Sequence, residues 1–84
     1  MMEEASFVAL IVRLATGAYI SMGLIEDPVS GEKKKDLEVA RITIETLDML
    51  KEKTKGNLTP EEAGFLEETL ADLKLKFVKA KEEK

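Results

Sequence analysis

The stretch FVALIVRLATGAYISMGLI, Phe7 to Ile25, carries a single charge in 19 residues and constrains the fold more than any other part of the chain. At helical spacing Val8, Val12, Ala15, Tyr19 and Met22 form one apolar line and Phe7, Leu10, Ile11, Leu14 and Ala18 a second, with Ala9, Arg13, Thr16, Gly17 and Ser21 between them. A helix that is apolar on nearly every side has to be buried on more than one side. The chain has 84 residues, enough for one small domain spanning 1–84, with 1–5 and 81–84 expected to fray. Two further helices are expected to be too few to enclose the first. The ten apolar residues just named are therefore assigned to a homo-oligomer interface, most simply that of a two-fold dimer.

A run of this length also raises a membrane-associated reading. Against it, Arg13 would lie in hydrocarbon at a cost of about 2.5–3.5 kcal/mol. Both flanks, Glu3 with Glu4 and Glu26 with Asp27, are acidic, and no tryptophan anchors an interface. The opening MMEEAS is acidic where an export signal needs basic residues, so a cytoplasmic location is expected.

Three segments with helical periodicity, at about 6–22, 36–55 and 60–80, predict an all-α chain, an oligomeric helical bundle. Ser6 and Asp36 suit N-caps, Gly56 suits a left-handed C-cap, and Thr59-Pro60-Glu61-Glu62 reads as a capping box with proline at the first helical position. Acids early and lysines late in the two later segments complement the helix dipole. The alternation of Ile42, Ile44 and Thr46 is the one strand-like feature, and it would break a longer helical pattern. In the second segment Leu37, Ala40, Ile44, Leu47 and Leu50 share one line with Val39, Ile42 and Met49 beside it, which predicts an ordinary core helix. In the third, Ala63, Leu66, Leu70, Leu73, Phe77 and Ala80 recur at spacings of three and four as a narrow packing seam.

Composition removes several chemistries. There is no cysteine and no histidine, hence no disulfide framework, no thiolate zinc site and no imidazole base. No carboxylate spacing picks out an acid/base pair, so no catalytic residue, metal ligand or cofactor is assigned and the chain is read as a non-enzyme. A net charge of -4, from 17 acidic and 13 basic residues, argues against a dedicated nucleic-acid partner. The absence of glutamine, a single asparagine (Asn57) and the dominance of Glu and Lys point to a thermophilic source.

The candidate anion-binding residues are Arg13, by its planar fork, and Lys33, Lys34 and Lys35 beside the Ser30-Gly31 turn. For Arg13 the competing reading is a snorkelling cation at an interface edge, and for the lysines a solvated turn balanced by Glu26, Asp27, Glu32 and Asp36. Ala9, Gly17 and Ser21, on the line of Arg13, read either as a site of close helix approach or as simple filling. The main reading is a homo-oligomeric interaction or scaffold module that partners itself or an unidentified protein. A small-ligand or anion binder is the alternative.

Three blocks, GLIEDPVSGEKKKDLEVA (23–40), TLDMLKEKTKGNLTPEE (46–62) and LADLKLKFV (70–78), resemble a family of short bacterial proteins known mainly as a domain of unknown function. Gly23, Leu24, Ile25, Pro28, Gly31, Glu32, Lys33, Asp36 and Leu37 carry the first block; Lys53, Thr54, Gly56, Asn57, Leu58 and Thr59 carry the second. The chain departs at Ala71 and Phe77, where tyrosines are common, and at Lys74, where arginine is common. The resemblance implies an all-helical short protein and brings no established activity, cofactor or catalytic residue.

Overall fold

A computed structural model describes residues 6–33 and 35–82 of the chain. Three helices follow one another: α1 (Phe7–Ser21), α2 (Leu37–Lys53) and α3 (Pro60–Glu82). The expected caps set their starts. The Ser6 hydroxyl accepts from the Ala9 amide at 3.0 Å, and the Asp36 carboxylate accepts from the Val39 amide at 3.3 Å. At α3 the Thr59 hydroxyl accepts from the Glu62 amide (3.1 Å) while the Glu62 carboxylate accepts from the Thr59 amide (2.9 Å), a complete capping box.

The ends of α2 and α3 differ from expectation by about two residues. α2 stops at Lys53, and the chain turns out of it through Gly56 at φ +85. α3 continues through Lys81 and Glu82. Ala80 is buried in the core, and the Lys35 ammonium reaches its carbonyl at 3.4 Å, so the last turn is tied down where fraying was expected. Residues 1–5 and 83–84, the rest of the stretches expected to fray, lie outside the described residues. The strand-like Ile42–Thr46 stretch is helical throughout.

All three helices pack against one another around one core. α1 and its C-cap supply Ile11, Ala15, Ala18 and Met22, α2 supplies Ala40, Ile44 and Leu47, and α3 supplies Leu66, Leu70, Leu73 and Ala80. The α1 and α2 sets recur at spacings of three and four, and the α3 set does so once the partly buried Phe77 is included, as a buried helical stripe must. Alanines at 15, 18 and 40 let the helices approach closely, and the larger side chains contribute about 1.5–3 kcal/mol each on full burial. Of the seam expected on α3, Leu66, Leu70, Leu73 and Ala80 are buried in the core, Phe77 packs against it, and Ala63 is half-buried outside it.

Two expectations about the other helices need correction. α2 and α3 together do enclose the inner stripe of α1, because that stripe is narrow and centred on small residues. The outer side of α1 carries Arg13, Thr16 and Gly17 in the open, with Val8 and Leu10 also exposed. On α2 the reverse holds: Val39, Ile42 and Met49, expected beside the core, are 45%, 50% and 46% exposed. On a projection of α2 they lie on the arc opposite Ala40, Ile44 and Leu47.

The described residues of the elbow between α1 and α2, 23–33 and 35–36, form a lobe with a closed neck. Gly23, at φ +79, takes the chain out of α1, and the neck is made by a Met22–Lys35 antiparallel bridge and a 2.6 Å hydrogen bond from the Asp36 amide to the Ser21 carbonyl. Inside the lobe the Asp27 amide donates to Glu32 O (2.8 Å) and the Gly31 amide to Asp27 O (2.7 Å). The Asp27 carboxylate accepts from the Val29 amide (2.8 Å) and the Ser30 hydroxyl from the Glu32 amide (3.2 Å).

Candidate functional site

The lobe's hydrogen bonding bears directly on the anion reading. A phosphate cradle needs free amides aimed at one point. Here the amides of Asp27, Val29, Gly31 and Glu32 all donate within the lobe, and the Lys35 ammonium points to the end of α3. Lys33 is exposed on the lobe, Arg13 is exposed on the outer side of α1, and Lys34 lies outside the described residues. A side chain built on Gly17 would meet nothing within 4 Å, so within one chain that glycine is no point of close helix approach.

Of the ten residues assigned to an interface on α1, Ile11, Ala15, Ala18 and Met22 are core residues of a single chain, and Phe7, Leu14 and Tyr19 pack against that core. Val12 is half-buried, which leaves Val8 and Leu10 exposed. Four of the ten are thus buried within one chain, and the other six keep exposed surface.

Tyr19 has a role that its spacing did not reveal. Its hydroxyl donates to the Asp72 carboxylate, 53 residues away on α3, and Asp72 in turn accepts from the Lys76 ammonium at 2.8 and 3.0 Å. The same ammonium lies 5.7 Å from the centre of the Tyr19 ring. Asp72 and Lys76 form an i,i+4 pair visible in the sequence, but nothing there connects them to Tyr19. The cluster clasps α1 to α3 at the edge of the core.

Burial, followed by the Asp72 hydrogen bond and charge, pushes the Tyr19 hydroxyl from 10.0 up to about 12. Hydrogen bonds from Lys76 and then Tyr19 hold the Asp72 carboxyl below its ordinary 3.8. Tyr19 therefore contributes fully below about pH 10 and its contribution is lost as pH rises from 10 towards 12. Asp72 contributes fully above its ordinary value, and its contribution is lost as pH falls through the lowered one. Tyr19→Phe is expected to cost about 0.5–1.5 kcal/mol at neutral pH. Thermal melts across pH 9–12 check the assignment: the wild-type protein should lose stability more steeply than Tyr19→Phe, and parallel curves would remove Tyr19 from the clasp.

A cavity of about 200 Å³ opens where α2 meets α3, with Leu58 and Leu66 on its floor and Lys51, Lys55, Glu52 and Glu67 on its walls. Two lysines face two glutamates, so the walls select neither anion nor cation. Among the described residues no cluster of three or more acidic side chains could hold a metal ion, and no polar or charged side chain is buried. No described helix is long and apolar enough to cross a membrane.

Exposed apolar side chains occur on α3 (Leu75, Val78), in the elbow (Leu24, Ile25) and on the outer side of α2 (Val39, Ile42, Met49). Between Leu37 and Leu50 all of its charges, Glu38, Arg41, Glu45 and Asp48, fall on one flank. Arg41 bridges Glu38 and Glu45 (2.7 Å to the latter), and Asp48 meets Lys74 of α3 at 3.1 Å, which shows that this flank turns towards α3. The remaining outer arc, Val39, Ile42, Thr43, Thr46 and Met49, has no charge. The Thr43 hydroxyl donates to Val39 O (2.9 Å) and that of Thr46 to Ile42 O (2.8 Å), so both threonines satisfy their donors on their own helix.

A family model described as Domain of unknown function (DUF1844) matches residues 4–79. The chain belongs to that family. The match takes in all of α1 and α2 and most of α3, including the lobe, the clasp and the α2 strip, so the DUF1844 domain is the bundle itself. No curated protein and no solved structure matches the chain.

Proposed function

We propose that this DUF1844 protein is a non-catalytic interaction module that acts as a homo-oligomer, a two-fold dimer in its simplest form. The observation that carries this reading is the uncharged, half-open strip on α2, in a helix whose opposite side already fills the core of its own chain. A solvent face of a small acidic protein is ordinarily charged, and a strip of Val, Ile and Met there marks a surface that is covered in use. The lack of histidine and cysteine in the sequence supports the non-catalytic part. A cytoplasmic location accords with a sequence in which 36% of the residues are charged. Light scattering at micromolar concentration is the test. A mass of twice the 9.3 kDa chain is expected, and a monodisperse mass of one chain overturns the reading.

A further inference from the structure

The hollow where α2 meets α3 surrounds the turn that joins them. Its floor is apolar, from Leu58 in the turn and Ala63 and the buried Leu66 on α3. Its rim carries Lys51 and Glu52 in the last turn of α2, Lys55 in the turn that follows, and Glu67 of α3. Among the described residues the ion pairs are Arg41 with Glu38 and Glu45, Lys74 with Asp48, and Lys76 with Asp72. None of the four rim charges takes part in them. We propose that this hollow is a binding site for a free α-amino acid with an apolar side chain, a role beyond self-association.

The unpaired rim selects a zwitterion. An anion entering alone would meet two carboxylates as well as two ammonium groups, and a cation alone the reverse. A zwitterion brings one group for each pair: its carboxylate accepts from Lys51 and Lys55, and its ammonium donates to Glu52 and Glu67. The hollow also lies at the C-terminal end of α2, the negative pole of the helix dipole, which favours the ammonium.

Size and floor set the rest of the molecule. A volume of about 200 Å³ falls below the roughly 300–1,000 Å³ of sites for drug-sized ligands and suits the bulk of one amino acid. Over Leu58, Ala63 and Leu66 an aliphatic side chain is covered, whereas a polar one would give up water for no partner. The Thr54 hydroxyl, in the same lining, already donates to the Leu50 carbonyl at 2.7 Å and calls for no polar group on the ligand. A smaller hollow of about 140 Å³ beside Leu24 lacks this balance: it is lined by Lys76 and Lys79 with no acid, and Lys76 is engaged by Asp72.

L-leucine is the probe, titrated into the isotope-labelled full chain and followed by the backbone amide resonances. Saturable shifts centred on Thr54, Gly56, Leu58 and Glu67 are expected, with a Kd of about 1 mM because exposed ion pairs contribute little each. Three analogues each lack one element: L-leucinamide the carboxylate, isocaproate the ammonium and glycine the aliphatic side chain. Each is expected to bind at least about tenfold more weakly. Glu67→Gln and Lys55→Gln, both at exposed positions, are expected to weaken L-leucine about threefold each, and Lys33→Gln on the lobe to leave it unchanged. No saturation up to about 20 mM L-leucine overturns the proposal. So does equal binding of isocaproate or L-leucinamide, which leaves a site for one charge only, or of glycine, which removes the floor from recognition. Unchanged affinity in both rim variants places the ligand elsewhere and overturns it as well. The site lies within one chain, so these results stand apart from the mass that tests self-association.

Discussion

Leu73→Ala is expected to lower the unfolding free energy by about 2–5 kcal/mol, the range for removing a fully enclosed leucine and leaving a cavity. Leu73 is 0% exposed and sits midway along the α3 stripe, among core residues from all three helices. Because α3 is held at both ends, by its capping box and by the burial of Ala80, it cannot slide to fill the space. A domain of this size has about 4–13 kcal/mol in total, so the loss is a large share of it. Urea denaturation checks it. A midpoint within error of the wild type would mean that Leu73 is not enclosed as the packing shows.

The second large effect tests which way α1 faces. Ala18 is 0% exposed on the inner stripe, and Thr16, two residues earlier, is open to solvent. Ala18→Asp places a carboxylate in a core in which, among the described residues, no polar or charged side chain is buried, at a cost of several kcal/mol. It is expected to leave the chain unfolded at neutral pH, whereas Thr16→Asp should stay within about 0.5 kcal/mol of the wild type. Circular dichroism of the pair decides the matter. If both variants fold, or if both unfold, α1 does not present one buried and one open side within a single chain.

Helix starts were legible because their causes are local. Ser6, Asp36 and the Thr59–Glu62 pair each satisfy amides within three residues of themselves, so the text around them is sufficient. The end of α3 was not, since what fixes it is the burial of Ala80 and the reach of Lys35 from the far side of the chain. The same distinction explains Tyr19. Its apolar neighbours were visible in a helical projection, but its partner lies 53 residues away, and a projection of one helix says nothing about another.

The two misjudged faces have one origin. Apolar periodicity counts the residues that avoid water without saying which of two apolar arcs the single chain will cover. On α1 the count suggested more surface than two helices could enclose, yet alanines at 15 and 18 make the inner stripe narrow enough. On α2 the leucine line hid a second arc. The signal that was present there is the crowding of Glu38, Arg41, Glu45 and Asp48 onto one flank, which leaves Val39, Ile42 and Met49 with neither core nor charge around them.

The closed neck of the elbow separates the length of the chain from the architecture of the bundle. With Ser21 bonded to Asp36 and Met22 bridged to Lys35, the end of α1 and the start of α2 are held together whatever lies between. Val29, at the tip, is 94% exposed. Extra residues entering there lengthen a loop whose ends are already joined, and each doubling of such a loop costs only about 0.6 kcal/mol of chain entropy. The lobe is thus a natural port in this small scaffold, where an epitope, a reporter peptide or a second domain can be spliced in while the three helices keep their register.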